Sequence, residues 1–544
     1  MMIVQELRHI QERCGYLPEE ELLGLSRRLG VPLHRLHEVA SFYPLYRLTP
    51  PPAADVKVCR DMACCLHGSA HLREALQAFG TELGSVVVEG VSCLGQCDRP
   101  VAVSINEHVY RGLPEEELRT RIRAAVAREP LPHQHADRAP LGWKIDVYQG
   151  KPAYDALRRW AEKPDADGLL KSLETANLRG MGGAGFPTFR KWSAVRAAPG
   201  DAKYVVCNAD ESEPGTFKDR ELLRRTPHLV IEGMVLAGLV TGAERGWIYI
   251  RHEYHEETEV VEEALRQARD QGVLGDNVCG TGKPFHLEVF VSPGGYIQGE
   301  ESALLEAMED RRGEPRNKPP FPVTHGLYGK PTVINNVETL SWVPGIALHG
   351  GEWYRDLGTN GATGARFVSI SGDVSRPGVY EVPFGQTVQE LIFDTAGGMR
   401  DGQRLKAIAT SGPSGGFLPA QIPVSLLPKP FVERMTKEQR LAAGSTSLDA
   451  VQLPLDFGTF GAMGGMLGAA FVVYGDRADM VESALNCVQF YRNESCGKCV
   501  PCRMGSEKMT VLIQDLLARK VRREQLPVID ELSQTMYLTS ICGL

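Results

Sequence analysis

RGMGGAGFPTFRKW, residues 179–192, decides how the middle of this chain folds. Residues 180–185 fit G-x-G-x-x-G, the pattern that opens a dinucleotide-binding unit when a strand precedes it and a helix starts on it. The preceding GLLKSLETANL (168–178) has helical apolar spacing instead, so the ordinary fingerprint is not expected here. What survives is the physical use of the glycines. Residues without Cβ let a flat ring or a phosphate approach backbone N–H groups closely. A tight loop with no ligand fits the same letters.

Four segments further along favour a pocket. In YVVCNADESEPGTFKDR (204–220) an apolar, strand-like run ends on Asn208, Asp210, Glu211, Ser212 and Glu213, groups able to bond sugar-type hydroxyls. GGYIQGEESALL (294–305) sets Tyr296, Gly299, Glu300 and Glu301 just before a helix, and KPTVINNVETL (330–340) sets Asn335 and Asn336 before another. RNKPPF (316–321) adds Lys318 and Phe321. Each alone reads equally well as a capped helix start or a solvated acidic loop. Together they favour a nucleotide-like cofactor.

Cysteines mark both ends of the chain. ESCGKCVPCR (494–503) carries Cys496, Cys499 and Cys502 as C-x2-C-x2-C, with Cys542 following in TSIC. Three thiolates on one loop with a distant fourth suit a [4Fe–4S] cube, whereas structural zinc more often takes two C-x2-C pairs. Near the start, VCRDMACC (58–65) and VSCLGQCD (91–98) supply Cys59, Cys64, Cys93 and Cys97. Two pairs on separate loops suit a [2Fe–2S] rhomb; zinc also fits, and Cys65 could replace Cys64. Two quartets in one chain suggest electron transfer. Cys14 and Cys487 lie in helical patterns as small buried hydrophobes, and packing is the favoured role of Cys207.

The 544 residues, with 13 cysteines and a net charge of −8, set the frame. That length predicts three to five domains of ~100–200 residues each. The cysteines are too sparse for a disulfide scaffold and sit at ligand spacing, which favours a reducing compartment. No signal-peptide pattern opens the chain and no apolar run reaches a membrane span, so a cytoplasmic location is expected. No Lys/Arg cluster offsets the negative charge, which argues against nucleic acid.

Residues 1–50 read as three short helices, with proline opening and glycine closing them. Residues 51–130 alternate short strands and helices, placing each cysteine pair just after a strand. Residues 131–144 read as a linker whose His133 and His135 lack completing ligands. A flavin-type domain is expected over 145–355, a strand-and-turn domain over 356–470, and a helical cysteine domain over 471–544. The stretch 423–450 reads as an insertion, either disordered or a docking surface.

At GMGGAGFPT, NADESEPGTFKDR, GEESALLE, INNVETL and ESCGKCVPCR the chain resembles the NADH-oxidising flavoprotein subunit of respiratory complex I and its diaphorase relatives; the part in front resembles the neighbouring small [2Fe–2S] subunit, here joined to it. The resemblance implies a multidomain α/β fold. It comprises a helical N-terminus with a thioredoxin-like [2Fe–2S] domain, a Rossmann-like FMN/NADH domain, a ubiquitin-like β-grasp (SLBB) domain and a C-terminal helical bundle with [4Fe–4S]. It implies FMN on Gly180, Gly182, Lys191, Asn208, Asp210, Glu211, Ser212, Tyr296, Gly299, Glu300, Asn335 and Asn336. It implies NAD(H) on Phe186, Glu213, Glu301, Lys318 and Phe321. One departure is visible: Ser193 and Ala194 follow Trp192, where many relatives carry a second aromatic, so weaker nucleotide binding or a substitute ring is expected.

A nicotinamide moves two electrons as hydride and a cluster moves one, so a flavin must stand between them and no catalytic side chain is nominated. Formate or hydrogen chemistry requires a partner, a catalytic α-subunit with further clusters and a molybdenum, tungsten or nickel–iron centre. A formate dehydrogenase partner is the first expectation. The alternatives are a soluble NAD-reducing hydrogenase, a fused complex I input module, and a zinc-bound scaffold without flavin.

Overall fold

The computed structural model describes residues 3–135 and 141–544; positions 136–140 of the expected linker lie outside the described residues. The chain opens with helices Ile3–Cys14, Glu19–Leu29 and Leu33–Phe42. Pro18 and Pro32 stand directly before the second and third, and Gly30, at φ +65°, ends the second in the left-handed region that glycine tolerates.

A first sheet has strands β1 (Ala54–Cys59), β2 (Val86–Val91), β3 (Ala102–Ile105) and β4 (His108–Arg111) in the order β2-β1-β3-β4. Only β1 and β2 run parallel. Helices Ser69–Leu83 and Glu115–Val126 bury Leu76, Phe79, Leu118 and Ile122 against it. Cys59 ends β1, Cys64 sits in the short helix Met62–Leu66, and Cys93 and Cys97 follow β2.

The second sheet consists of β5 (Tyr204–Ala209), β6 (Arg245–Ile250), β7 (His286–Val291) and β8 (Thr332–Asn336), all parallel, in the order β7-β6-β5-β8. From β5 the chain builds outward to β7 and then returns to β5's other side. That reversal makes β5/β8 a topological switch point, where a crevice opens at the strands' carboxyl ends. Helices Pro227–Thr241 and Val337–His349 cover one face and are buried almost all round.

The opposite face is closed by the three N-terminal helices. Leu7, Leu22, Leu25, Leu36 and Val39 share a core with Val206, Trp247, Tyr249, Phe290 and Ile334, which lie on alternate positions of β5–β8. The opening segment therefore forms a layer of the central domain, although the cysteine-bearing sheet follows it in sequence.

The third sheet joins β9 (Ala365–Gly372), β10 (Gly378–Pro383), β11 (Leu405–Ala409), β12 (Phe417–Pro419) and β15 (Ala470–Gly475) in the order β10-β9-β15-β11-β12. Its central pair β9/β15 is parallel, so the expected boundary at 470 must move beyond Gly475. Strands β13 (Gln421–Pro423) and β14 (Ser447–Asp449) close a hairpin around helix Lys429–Lys437. Phe431, Met435 and Leu448 there are buried in the main core. This corrects the reading of 423–450 as disordered, because the segment forms a hairpin and a helix with buried apolar residues, although Leu426 is exposed. Helices Met480–Glu494, Val500–Leu517 and Pro527–Thr539 complete the chain. Among the described residues no helix is long and apolar enough to cross a membrane.

Trp247→Ala is expected to cost ~3–5 kcal/mol by opening a cavity under the N-terminal layer. Hydrogen exchange over residues 3–42 should speed up with it. Unchanged protection there would show that the layer does not depend on this core.

Candidate functional site

The site is built on the switch point. Asn208 at the end of β5 stands in register with Asn336 at the end of β8, and Cys207 with Asn335. The glycine segment runs between helices Ala166–Ala176 and Thr188–Ala197, closed by Gly180 N–H donating to the Phe186 carbonyl at 2.9 Å. Met181 N–H donates to Thr339 Oγ1 at 2.9 Å, Lys191 Nζ to the Ile334 carbonyl at 2.8 Å, and Trp192 Nε1 to Asn335 Oδ1 at 2.8 Å. These bonds lay the loop against the end of β8.

Gly183 has φ +117°, and a Cβ on Gly182 would come within 3.3 Å of Asn336 Cβ. Gly182, Gly183 and Ala184 are exposed, so this backbone can meet a ligand at close range. Across the crevice Asn208 Nδ2 donates to the Gly299 carbonyl at 2.8 Å, and a Cβ on Gly299 would lie 3.2 Å from the Asp210 carbonyl. Both walls are shaped by the absence of side chains, as a flat ring system requires.

The acidic residues divide by where their oxygens are spent. Asp210 accepts from Ser212 Oγ at 2.5 Å and Ser292 Oγ at 3.2 Å. Burial raises its pKa to about 7, against the pull of Ser212. Glu211 faces inward, accepting from the Asp219 N–H (2.8 Å), the Arg220 N–H (3.1 Å) and the Tyr254 hydroxyl (3.0 Å). Burial, then the charge of Asp219, lifts it to about 8. Glu213 accepts from the Tyr296 hydroxyl at 2.5 Å and from Ser414 Oγ and N–H at 3.0 Å each.

Two further positions serve as caps. Glu300 accepts from Ser302 and Ala303 N–H at 2.9 Å, opening helix Glu301–Met308, and Asn336 Oδ1 accepts from Glu338 N–H at 3.0 Å. Lys318 Nζ bridges Glu300 (2.7 Å) and Glu301 (2.8 Å), and Lys191 Nζ lies 3.7 Å from Glu301. Phe186 and Phe321 remain about half exposed, at 49% and 52%, and are the free rings here. Trp192 is buried, and Phe189 is partly buried against the core.

The first cysteine quartet is buried. Cys59 adjoins both Cys64 and Cys93, and Cys93 Sγ lies 3.3 Å from Cys97 Sγ. In the second, Cys499 directly precedes helix Val500–Leu517, Cys502 lies in its first turn next to Cys499, and Cys496 sits on the preceding loop beside Gly497 at φ +76°. Cys542 follows helix Pro527–Thr539, close enough to feel the charges of Cys496 and Cys502, with its pKa raised to about 11, mainly by burial. Thiolates spread across two to four irons suit the quartets.

Sequence reasoning missed the groups that join these sites. Buried Arg251 donates to the Glu211 carbonyl at 2.6 Å and the Cys93 carbonyl at 2.7 Å. Buried Arg220 donates to the Gly95 carbonyl at 2.7 Å and Gln96 Oε1 at 2.5 Å. Lys218 sits fully buried between Asp219 (2.6 Å) and Glu338 (3.0 Å). Lys218 and Arg220 lie inside the NADESEPGTFKDR run, so that signal was present; Arg251 and Ser414 carry none.

Four family profiles match the chain. They are described as "Thioredoxin-like [2Fe-2S] ferredoxin" over residues 1–125, "Nuo51 FMN-binding domain" over 173–345, "SLBB domain" over 367–418 and "NADH-ubiquinone oxidoreductase-F iron-sulfur binding region" over 482–544. FMN and the two clusters are the cofactors of these domains, and the fit of glycine cradle and thiolates agrees. A subunit of the NADH-quinone oxidoreductase of Rhizobium meliloti is 38% identical, covering 76% of this chain and 92% of its own. The alpha subunit of the NAD-reducing hydrogenase HoxS of Cupriavidus necator is 32% identical, covering 100% of this chain and 88% of its own. The structure of an air-oxidised NAD+-reducing [NiFe]-hydrogenase matches at TM-score 0.82 and 31% identity, over 99% of this chain and 89% of that one. Whole-length similarity to hydrogenase subunits overturns the expectation of a formate dehydrogenase partner.

Asp210 supplies a pH test. Its native pKa of about 7 lies above the ordinary 3.8, so between those values the folded state binds the extra proton. Stability therefore falls as pH rises through that window. Asp210→Asn should remove roughly 2 kcal/mol of this fall, read as urea midpoints at pH 5 and 7.5. An equal fall in the variant would acquit Asp210.

Proposed function

This chain belongs to the Nuo51-type family of NADH-quinone oxidoreductase and hydrogenase diaphorase subunits, and on that premise we propose that it is the diaphorase subunit of a soluble NAD-reducing hydrogenase. It is a subunit of an NAD-linked oxidoreductase. The observation that carries the reading is the alignment with the hydrogenase subunit over 100% of this chain, first domain included, where the R. meliloti relative covers 76%.

FMN, when bound, exchanges a hydride with a nicotinamide and single electrons with iron–sulfur clusters. The chain's own residues bind and orient. Gly180, Gly182, Asn208, Gly299 and Asn336 would line the flavin crevice, with Lys191 at its rim and Tyr296 opposite. Glu300 and Asn335 act on it through a helix cap and through Trp192. Asp210, Glu211 and Ser212 shape its floor. Lys318 and Glu301 would meet the polar part of the nucleotide, while the exposed rings of Phe186 and Phe321 offer its base an apolar stacking face.

Glu213 is assigned differently from the expectation. Its carboxylate is occupied by Tyr296 and Ser414, so it would hold the Tyr296 loop and not touch the nucleotide. Cys59, Cys64, Cys93 and Cys97 would hold the [2Fe–2S] centre and Cys496, Cys499, Cys502 and Cys542 the [4Fe–4S] centre. The partner would be a hydrogenase subunit with further clusters and a nickel–iron centre, and the assembly cytoplasmic.

Anaerobic NADH titration of the loaded chain should bleach flavin and iron–sulfur absorbance together and consume more than one NADH per chain. The copurified complex should reduce NAD+ with hydrogen. Bleaching without hydrogen-dependent reduction would keep the diaphorase and remove the hydrogenase partner; no bleaching would remove both.

A further inference from the structure

Helix Met480–Glu494, which leads into the [4Fe–4S] loop, carries a row of contact residues that neither the family resemblance nor the cofactor sites use. Asn486, Phe490 and Glu494 are spaced i, i+4, i+8 and so share one face. Buried Asn486 accepts from the Met62 N–H at 2.8 Å and donates to the Arg60 carbonyl at 2.8 Å. It thereby grips the loop between Cys59 and Cys64 with both ends of one amide.

One turn on, the Phe490 ring packs edge-on against Tyr296 at 4.9 Å. One turn further, Glu494 accepts the Tyr296 N–H at 2.7 Å with one oxygen and the Ser92 hydroxyl with the other. Ser92 directly precedes Cys93, and Cys496 lies two residues beyond Glu494. A carboxylate in the last turn of a helix faces the negative end of its dipole, so local helix energetics do not favour it there. Its partners from two other domains do.

We propose that Asn486 and Glu494 are positioning residues, which fix both cysteine loops of the [2Fe–2S] centre and the Tyr296 loop of the flavin crevice to the helix that presents the [4Fe–4S] centre. The proposal rests on the functional reading above and deepens it. A hydride brings two electrons and each cluster accepts one, so both exits must stay in fixed relation to the crevice. Three loops held by one helix face move as one body. A shift of one loop would change one electron exit against the other.

The test uses the full, cofactor-loaded chain with Glu494→Ala, Glu494→Gln and Asn486→Ala. Hydrogen exchange reads the loops and electron paramagnetic resonance under redox titration reads the [2Fe–2S] centre. Glu494→Ala should raise exchange over 293–299 about tenfold, the loss of one charge-assisted hydrogen bond. It should also shift the [2Fe–2S] spectrum or potential and slow that centre's reduction by NADH relative to flavin bleaching.

Glu494→Gln, which keeps an acceptor for Tyr296 and a polar partner for Ser92, should return exchange to within about twofold of wild type. Asn486→Ala should loosen 60–64 while leaving 293–299 protected. Wild-type exchange and an unaltered [2Fe–2S] signal in Glu494→Ala would overturn the proposal. If Asn486→Ala fails to assemble, the two Glu494 variants decide alone. Failure of wild-type flavin to bleach with NADH would defeat the functional reading while the exchange results still judge the positioning claim.

Discussion

Two buried guanidinium groups hold this molecule to its arrangement. Arg220 and Arg251 are 1% and 2% exposed, and a charge at such depth is tolerable only when its donors are met. Some of the acceptors are carbonyls of another domain: Gly95 for Arg220 and Cys93 for Arg251. Withdraw the first cysteine domain and both cations lose those partners. The central sheet therefore specifies the placement of that domain as strictly as a hydrophobic core would, with directional bonds that fix the loop carrying Cys93 and Cys97. Asp98 and Glu221 complete the shell of Arg220, at 3.1 Å each.

The same economy of partners explains why the acidic run after β5 reads ambiguously. In sequence, Asp210, Glu211, Ser212 and Glu213 all look available to a ligand. In the fold, Glu211 caps the turn into helix Lys218–Arg225 and Glu213 ties Tyr296 to Ser414, while Asp210 rests on two serine hydroxyls. The capped-helix reading holds for Glu300 and Asn336. Their side chains are spent on the N–H groups of those helices, next to the Gly299 turn and the glycine loop. A motif of polar residues reports that a pocket is built there; only the packing says which of them face it.

Much of the architecture was legible because it rests on local rules. Proline before and glycine after the opening helices, strand runs before each cysteine pair, and helical spacing before the glycine loop all appear where the residues indicated. What escaped depends on distant contacts. The covering of the central sheet by helices from residues 3–42 requires pairing Leu36 with Trp247-type partners some two hundred positions away, which no local pattern encodes. The insertion 423–450 looked surplus because Phe431 and Met435 find their core only once β13 meets β14. Strand β15 completes the third sheet from beyond the expected boundary, since the parallel β9/β15 pair joins segments about a hundred residues apart.

Fusion into one chain follows from these contacts in physical terms. The bonds from Asn486 to Met62 and from Glu494 to Ser92 span 424 and 402 residues, so in separate polypeptides they would be an intermolecular interface. Such an interface must repay lost translational and rotational freedom before any bond contributes net stability. Covalent linkage converts that association into an intramolecular event whose effective concentration is set by the connecting chain. Small polar contacts such as one amide and one carboxylate can then hold a domain in register. Those contacts are well suited to the task here, because they hold a backbone N–H and a serine hydroxyl at loops beside thiolate ligands without adding bulk between the redox sites. An apolar interface of equal strength would need more surface at those loops, and that surface is already committed to the cysteines and the crevice.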